Sequence, residues 1–340
     1  MERALSIGGN PSSIHGAGRN ARKLVEEARE QVAALMGAKP EKVIFTSGGT
    51  EANALALRGA IEGAQETGER ITRLFVSAIE HDSVLKTVAS LAERVPGLRV
   101  ETVPVGAEGV ADFSSTSLNE GKGRALIVMM AANNETGVVQ PVERIDGLVS
   151  VDAVQKPGRY ENASYVSLSA HKIGGPQGVG ALIVRDDAPF AAQVLGGGQE
   201  RGLRAGTENV AGIAGFGAAA AAWSPMSPVL RDSFEAGLPA SAIVFGRSVQ
   251  RLPNTSNFAL PGISAENALM ALDLDSVMVS SGSACSSGKV KSSHVLKAMG
   301  VSDELSRCAL RVSFGWNSTK IDVDAALASI ARLAERREAA

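Results

Sequence analysis

Cysteine is nearly missing from this chain: Cys285 and Cys308 are the only two among 340 residues. They stand far apart, with no Cys or His companions at metal-ligand spacing, which argues against a zinc site and against a disulfide framework. Both read as free thiols. An excess of charge of one sign is also lacking, since 34 Lys and Arg against 36 Asp and Glu leave a net charge of -2. That balance offers no electrostatic footprint for DNA or an anionic membrane, so no direct DNA binding is expected. Long hydrophobic runs are missing too. The best candidate, residues 211–223, is short, made mostly of Ala and Gly, and reads as a packed helix, not a membrane span. The first nine residues have no continuous apolar core followed by a small-residue cleavage site, so a cytoplasmic location is the expectation. No internal repeat or long low-complexity tract is present.

What the chain does have is 44% hydrophobic residues, enough for a substantial core divided into a large and a small domain. Short β-rich runs alternate with longer helical patterns over the first two thirds, the pattern of a largely parallel sheet with crossover helices. Strands are predicted at 43–46, 98–103, 125–130, 148–151, 165–168 and 179–184. Helices are predicted at 50–64, capped by Thr50, and at 82–95, capped by Asp82. The run Trp223-Ser224-Pro225-Met226-Ser227-Pro228 breaks the helical pattern. It divides the chain into a large domain, 10–222, and a small carboxy-terminal domain, 223–340.

In a parallel sheet, ligand groups gather at the carboxyl ends of strands. Thr50, Asn133, Asn134, Asp152, Gln155, Ser169, His171 and Lys172 all follow predicted strands closely. Gly48-Gly49-Thr50 suits either an ordinary capped turn or a phosphate cradle at a helix amino terminus. Asp152 suits a helix cap, a surface acid or a partner for a pyridinium nitrogen, and Gln155 either faces solvent or donates to a ring oxygen. His81 opens a helix, as a cap or as a catalytic group that stacks on an aromatic cofactor or shuttles protons. Lys172, before the turn Ile173-Gly174-Gly175-Pro176, is either exposed or held in a cleft as an imine-forming amine. Cys285 lies in the Ser/Gly-rich run Ser280-Ser281-Gly282-Ser283-Ala284-Cys285-Ser286-Ser287-Gly288, unlike the apolar setting of a structural cysteine, and reads as a mobile nucleophile. Cys308, beside Ala309-Leu310, reads as buried.

These motifs resemble the pyridoxal-phosphate-dependent cysteine desulfurases of the NifS and IscS type, in the class V aminotransferase group. The resemblance runs from Asn10-Pro11-Ser12-Ser13-Ile14-His15 to Arg311-Val312-Ser313-Phe314-Gly315. Its most specific blocks are Phe45-Thr46-Ser47-Gly48-Gly49-Thr50-Glu51-Ala52-Asn53, Asn133-Asn134-Glu135-Thr136-Gly137, Ser169-Ala170-His171-Lys172, Gly196-Gly197-Gly198-Gln199-Glu200-Arg201-Gly202 and Ser281-Gly282-Ser283-Ala284-Cys285. It implies an α/β protein of fold type I of the pyridoxal-phosphate-dependent transferases. The large domain would hold a mostly parallel seven-stranded sheet flanked by helices, and the smaller domain would be α+β.

The resemblance further implies that Lys172 carries the cofactor as a Schiff base, Asp152 holds its ring nitrogen and His81 stacks on the ring. Gly49, Thr50, Ser169 and His171 would bind the phosphate, Asn134 and Gln155 would sit near the ring oxygen and substrate, and Arg311 would hold the substrate carboxylate. Thr207 would reach the cofactor phosphate of a second copy in a homodimer. The implied reaction converts L-cysteine to L-alanine, with the sulfur left as a persulfide on Cys285 for an iron-sulfur scaffold or a tRNA-thiolation relay.

The chain departs from the family pattern in places. Residues 1–9 read as a shortened amino-terminal segment, and the stretches 141–152, 155–169 and 223–245 look compressed. An alternative is therefore a cofactor-binding but catalytically impaired homologue acting as a scaffold or regulatory partner. A third reading, an aminotransferase or cysteine lyase of the same fold, leaves Cys285 without a purpose.

Overall fold

β-Branched runs bounded by glycine turns pair into one central sheet in the computed structural model, which describes residues 1–118, 123–281 and 292–338. Two compact units form. The first takes in Met1–Val103, Ser115–Ala131 and Pro141–Ser224, and the second Pro104–Ser114, Ala132–Gln140 and Pro225–Ala340.

The first unit begins with α1 (Glu2–Ile7), α2 (Gly16–Met36), β1 (Val43–Thr46), α3 (Gly49–Glu66) and β2 (Ile71–Ser77). It continues through α4 (Asp82–Arg94), β3 (Arg99–Val103), β4 (Arg124–Met130), β5 (Leu148–Asp152), β6 (Tyr165–Ser169), β7 (Gly180–Val184) and α5 (Val210–Ala222). Its sheet has the order β1-β7-β6-β5-β4-β2-β3. Only β7 runs against its neighbours, so the carboxyl ends of the other six strands share one edge. This is the mostly parallel seven-stranded sheet expected from the sequence.

Alternation along the strands decides which side chains meet which helices. Ile44, Leu74, Val76, Leu126, Val128, Leu182 and Val184 join Leu55, Leu57 and Ile61 of α3 and Val84 and Val88 of α4 in one buried cluster. Phe45 meets Phe216 of α5 edge to face, with centroids 6.3 Å apart. The Ala/Gly run of α5 allows close packing on α2: a Cβ on Gly217 would come within 2.5 Å of Ala28 Cα. That contact accounts for the one stretch apolar enough to invite a membrane reading. Among the described residues, no helix is long and apolar enough to cross a membrane.

Parallel neighbours are usually joined through a helix, but β5 and β6 are joined here by an irregular stretch, 153–164. Its backbone is fastened by side chains: Tyr160 Oη donates to Lys156 O at 2.5 Å, and Asn162 Nδ2 donates to Val142 O and Ile145 O at 2.8 and 2.6 Å.

The second unit holds α6 (Val229–Ala236), β8 (Ile243–Val244), β9 (Thr255–Ala259), α7 (Ala265–Leu274) and β10 (Ser280–Ser281). After these come α8 (His294–Ala298), α9 (Asp303–Ser306), β11 (Ala309–Ser313) and α10 (Lys320–Glu338). Its antiparallel sheet, β10-β11-β9-β8, packs with α6, α7 and α10 around Phe234, Phe258 and Phe314. The rings of Phe258 and Phe314 stand edge-on to Phe234 at 5.5 and 5.9 Å.

The second unit is not the single contiguous stretch 223–340 expected from the Pro-rich break. Residues 104–114 and 132–140 belong to it as well. For the latter, backbone pairing gives the reason: Val139 N donates to Gln250 O at 2.9 Å and Leu252 N to Gly137 O at 2.7 Å.

Candidate active site

The carboxyl edge of the first unit's sheet is built around backbone positions that only glycine fills. Gly48 adopts φ 154°, ψ 179°, a region essentially closed to other residues. It turns the chain from β1 directly into α3. A Cβ on Gly180, where β7 begins, would fall 2.6 Å from Leu168 O and 2.7 Å from Gly48 Cα. Three segments thus converge there with backbone against backbone.

Helix α3 starts at Gly49, with Gly48 as its N-cap and no side-chain capping bond. Thr50 is therefore not the cap expected from the sequence. It lies one residue inside and is exposed, while Glu51 reaches back to accept from Ser47 N at 2.7 Å. Burial works against the Glu51 charge, but Arg204, bidentate at 2.7 and 3.1 Å, and Ser47 hold its carboxyl below the usual range. The result is a helix amino terminus whose first N–H groups face outward from a fixed turn.

Asp152 ends β5 as a buried carboxylate. Asn53 Nδ2, one turn into α3, donates to Oδ2 at 2.8 Å, and Val154 N donates to Oδ1 at 3.0 Å. Burial raises its pKa above the ordinary value, opposed by those two donors and by the positive charges of His81 and Lys172. Asp152 is thus neither a surface acid nor a helix cap.

His81 caps α4, its Nδ1 accepting from Ser83 N at 3.1 Å. The expected cap Asp82 is instead the first residue inside the helix, paired with Lys86 at 2.6 Å. Immediately before His81, Glu80 is wholly buried and accepts from Met130 N at 2.7 Å. Burial, and secondly the charge of Asp152, push its carboxyl well above the usual range.

Ser169 ends β6 and shares a hydrogen bond with His171 Nδ1 at 2.9 Å. Burial, with the Lys172 charge behind it, lowers the His171 pKa, which keeps the ring neutral near pH 7. Lys172 follows in the 3-10 turn Ala170–Ile173, closed by Gly174 at φ 84°. Its side chain is exposed and not enclosed, yet its charge acts on Asp152. Gln155 is half-buried in the turn closed by Lys156 N to Ala153 O at 3.1 Å. Thr207 is exposed and borders a cleft of about 150 Å³ that it shares with Thr46 and Ser47 of the β1–α3 turn.

Asn134 and Arg311 belong to the second unit, where Arg311 Nη1 donates to Asn134 O at 2.9 Å. Cys285 lies outside the described residues. Cys308 is buried, as expected, with Sγ 3.5 Å from Glu304 O.

Two residues at this edge had no assigned role from sequence. Asn53 stood inside a motif without a task, though a buried amide in an Ala/Leu-rich helix is a signal. Glu80, an acid between Ile79 and His81 after an apolar strand, carries the same kind of signal. Among the described residues, no group of three or more His, Cys, Asp or Glu is placed to hold a metal ion.

The donor set fits a flat cationic ring bearing a phosphate and an aldehyde. A buried carboxylate could meet the ring nitrogen, a helix amino terminus with Ser169 and His171 could meet the phosphate, and the Lys172 charge acts on both Asp152 and His171. Comparison with known proteins agrees with that chemistry. The Aminotransferase class-V family matches residues 4–326. The cysteine desulfurase IscS of Dictyoglomus turgidum is 38% identical over 96% of this chain and 88% of its own length. A cysteine desulfurase of Cereibacter sphaeroides is 41% identical over 93% of this chain and 86% of its own. Among solved structures, a NifS-like protein superposes with a TM-score of 0.87 at 33% identity, covering 98% of this chain and 96% of that one. The chain belongs to the class-V aminotransferase family, and within it to the cysteine desulfurases of the NifS and IscS type.

Proposed function

We propose that this chain is a pyridoxal-phosphate-dependent cysteine desulfurase, acting as a homodimer in the cytoplasm and passing sulfur to an acceptor of the iron-sulfur or tRNA-thiolation type. The observation that carries the reading is the buried Asp152 carboxylate, fixed by Asn53 and Val154 and acted on by the charges of His81 and Lys172. The relatives named cysteine desulfurase and the NifS-like neighbour support it, and nothing favours an impaired scaffold.

When bound, pyridoxal phosphate supplies an aldehyde carbon that takes up amines and a ring that accepts electron pairs. The chain's own residues do the rest. Asp152 would hold the proton at the ring nitrogen and so keep that nitrogen cationic. Gly49 N–H, Thr50, Ser169 and His171 would hold the phosphate, with Thr207 of a second copy completing the set. His81 would stack on the ring, and Gln155 and Asn134 would orient the ring oxygen and the substrate. Lys172 would anchor the group through its amine. Arg311 receives the substrate carboxylate in a two-pronged hydrogen bond. Cys285 takes the substrate sulfur as a persulfide, and alanine leaves.

The test is alanine and sulfide formation from L-cysteine with a reductant. The purified protein is expected to be yellow, and Cys285→Ala to keep the colour while losing turnover. Normal turnover by Cys285→Ala rejects the persulfide step, and a yellow wild type that makes no alanine rejects the activity.

A further inference from the structure

Ser83, in the first turn of α4, stands between two side chains of the candidate site. Its Oγ accepts from Asn53 Nδ2 at 3.0 Å and lies 2.9 Å from His81 Nδ1. The same Asn53 nitrogen donates to Asp152 Oδ2 at 2.8 Å. Asp152, Asn53, Ser83 and His81 thus form one unbroken chain of hydrogen-bonded side chains, carried by β5, α3 and the start of α4, all within the first unit.

The direction of the hydrogens follows from the groups involved. Asp152 accepts on both oxygens, from Asn53 and from Val154 N, so the amide nitrogen of Asn53 faces it and not the amide oxygen. With one amide hydrogen on Asp152, the other goes to Ser83 Oγ. The hydroxyl then has a single hydrogen to give, and His81 Nδ1 lies within reach of it. Ser83 N donates to the same Nδ1 at 3.1 Å, and a backbone N–H can only donate. Two donors of one residue therefore meet one ring nitrogen. Both backbones are fixed as well: Thr87 Oγ1 donates to Ser83 O at 2.7 Å, and His81 O accepts from Val84 N and Leu85 N at 2.8 and 3.1 Å.

We propose that Ser83 is a positioning residue whose hydroxyl, polarised by Asn53, holds His81 Nδ1 as an acceptor and leaves Nε2 as the ring nitrogen that carries the proton. One amide, Asn53, then orients both the acid that would meet the cofactor's ring nitrogen and, through Ser83, the imidazole that would stack on the ring. The neutral imidazole can give a proton only from Nε2, because Nδ1 is occupied from two sides. Use of this arrangement in turnover rests on the reading that His81 and Asp152 serve the cofactor, whereas the hydrogen-bond chain is tested without the cofactor.

The experiment is nitrogen NMR of the full-length chain, isotopically labelled at its four histidines and free of cofactor. Spectra are taken at about pH 8.5, roughly two units above the ordinary histidine pKa, and the His81 signals are assigned by their loss in His81→Gln. In the wild type, Nδ1 is expected at a hydrogen-bonded pyridine-type position and Nε2 at a pyrrole-type one. Ser83→Ala, a substitution that suits a helix, moves Nδ1 toward the unbonded pyridine-type position, and Ser83→Thr, which keeps the hydroxyl, does not. Asn53→Leu also moves Nδ1, but not in the Ser83→Ala background, because its effect runs through the hydroxyl. In the holoenzyme, Ser83→Ala leaves the Kd for pyridoxal phosphate within about threefold of wild type, since the Asn53 bond to Asp152 stays. Its kcat for alanine formation falls about tenfold, a part of what a positioned proton carrier contributes, with KM for L-cysteine within about twofold, and Ser83→Thr restores kcat. An Nδ1 signal unmoved in Ser83→Ala, or a pyrrole-type Nδ1 in the wild type, overturns the proposal. A moved signal with wild-type kcat overturns the positioning role. A wild type that binds no pyridoxal phosphate overturns the cofactor reading instead, and the nitrogen signals still decide the hydrogen-bond chain.

Discussion

Asn53 Nδ2 lies 2.8 Å from Asp152 Oδ2, and this bond makes α3 and β5 a single device. In the proposed reading, the helix whose amino terminus would hold the phosphate also fixes the acid that would meet the ring nitrogen, so one rigid element would serve both ends of the cofactor, as preorganised binding requires.

Replacing Asn53 with Leu removes that donor and puts an apolar side chain of similar size in an apolar helix. Hydrogen bonds to charged groups contribute about 1.5–3 kcal/mol, so the Kd for pyridoxal phosphate is expected to rise about tenfold to a hundredfold. Titrating the apo-protein by visible absorbance measures it directly. An unchanged Kd means that Asp152 is held well enough by Val154 N alone.

Glu80 gives a pH prediction on the apo-protein. Burial and the Asp152 charge raise its folded-state pKa well above the ordinary value, so the folded chain keeps a proton that the unfolded chain releases. Stability from this group is then full below the unfolded carboxylate pKa, about 4.3, and falls as pH rises through the folded value. Urea midpoints measured from pH 5 to pH 8 should therefore decline for the wild type. Glu80→Gln, which is uncharged at every pH, should flatten that part of the decline. Parallel profiles for the two proteins contradict a protonated Glu80.

Much of this site is legible in the chain because its parts are local. The strand ends carrying Asp152, Ser169 and Lys172 follow from short β-branched runs, and the glycine turn before α3 follows from its composition. The two helices begin earlier than their sequence signals at Thr50 and Asp82 suggest, because capping depends on where the helix axis begins. Gly48 takes a backbone angle that moves the start of α3 ahead of Thr50, and the ring of His81 occupies the capping place assigned to Asp82. Glu80 and Asn53 carry no local sign of their roles, because their partners, Met130 and Asp152, are distant in sequence and adjacent only after the sheet forms. The division of the chain was incomplete for the same reason, since pairing of 137–139 with 250–252 leaves no local mark.

Gly180→Ala tests the convergence at the site's edge. The added methyl would sit 2.6 Å from Leu168 O and 2.7 Å from Gly48 Cα, and backbone on both sides leaves no flexible side chain to give way. Overpacking of this kind typically costs about 1–3 kcal/mol. Because the displaced atom belongs to the Gly48 turn, pyridoxal phosphate affinity should fall together with stability. Lost stability with intact affinity places the strain elsewhere than in that turn.

The last prediction concerns the outer side of β1, which ends the sheet order and has no strand beyond it among the described residues. Side chains take the place of a neighbour there. Arg29 Nη1 and Arg201 Nη2 each donate to Val43 O at 2.7 Å, and Phe45 N donates to Glu200 Oε2 at 3.0 Å. Arg29 and Glu200 pair at 2.7 and 3.0 Å, both almost fully buried, and Arg29 lies over the Phe45 ring. Exposed strand edges invite pairing with other chains, and this arrangement closes one. It also holds Glu200 and Arg201 at φ 46° and 59°, left-handed angles that cost non-glycine residues free energy. Removing one member leaves a buried charge uncompensated, so Arg29→Met and Glu200→Gln should each cost about 3–5 kcal/mol in urea unfolding. The double variant Arg29→Met/Glu200→Leu removes both charges but leaves Phe45 N unpaired, so it should recover only part of the loss. Single-variant costs below about 1 kcal/mol, within the range of exposed ion pairs, contradict the idea that this pair holds the sheet edge closed.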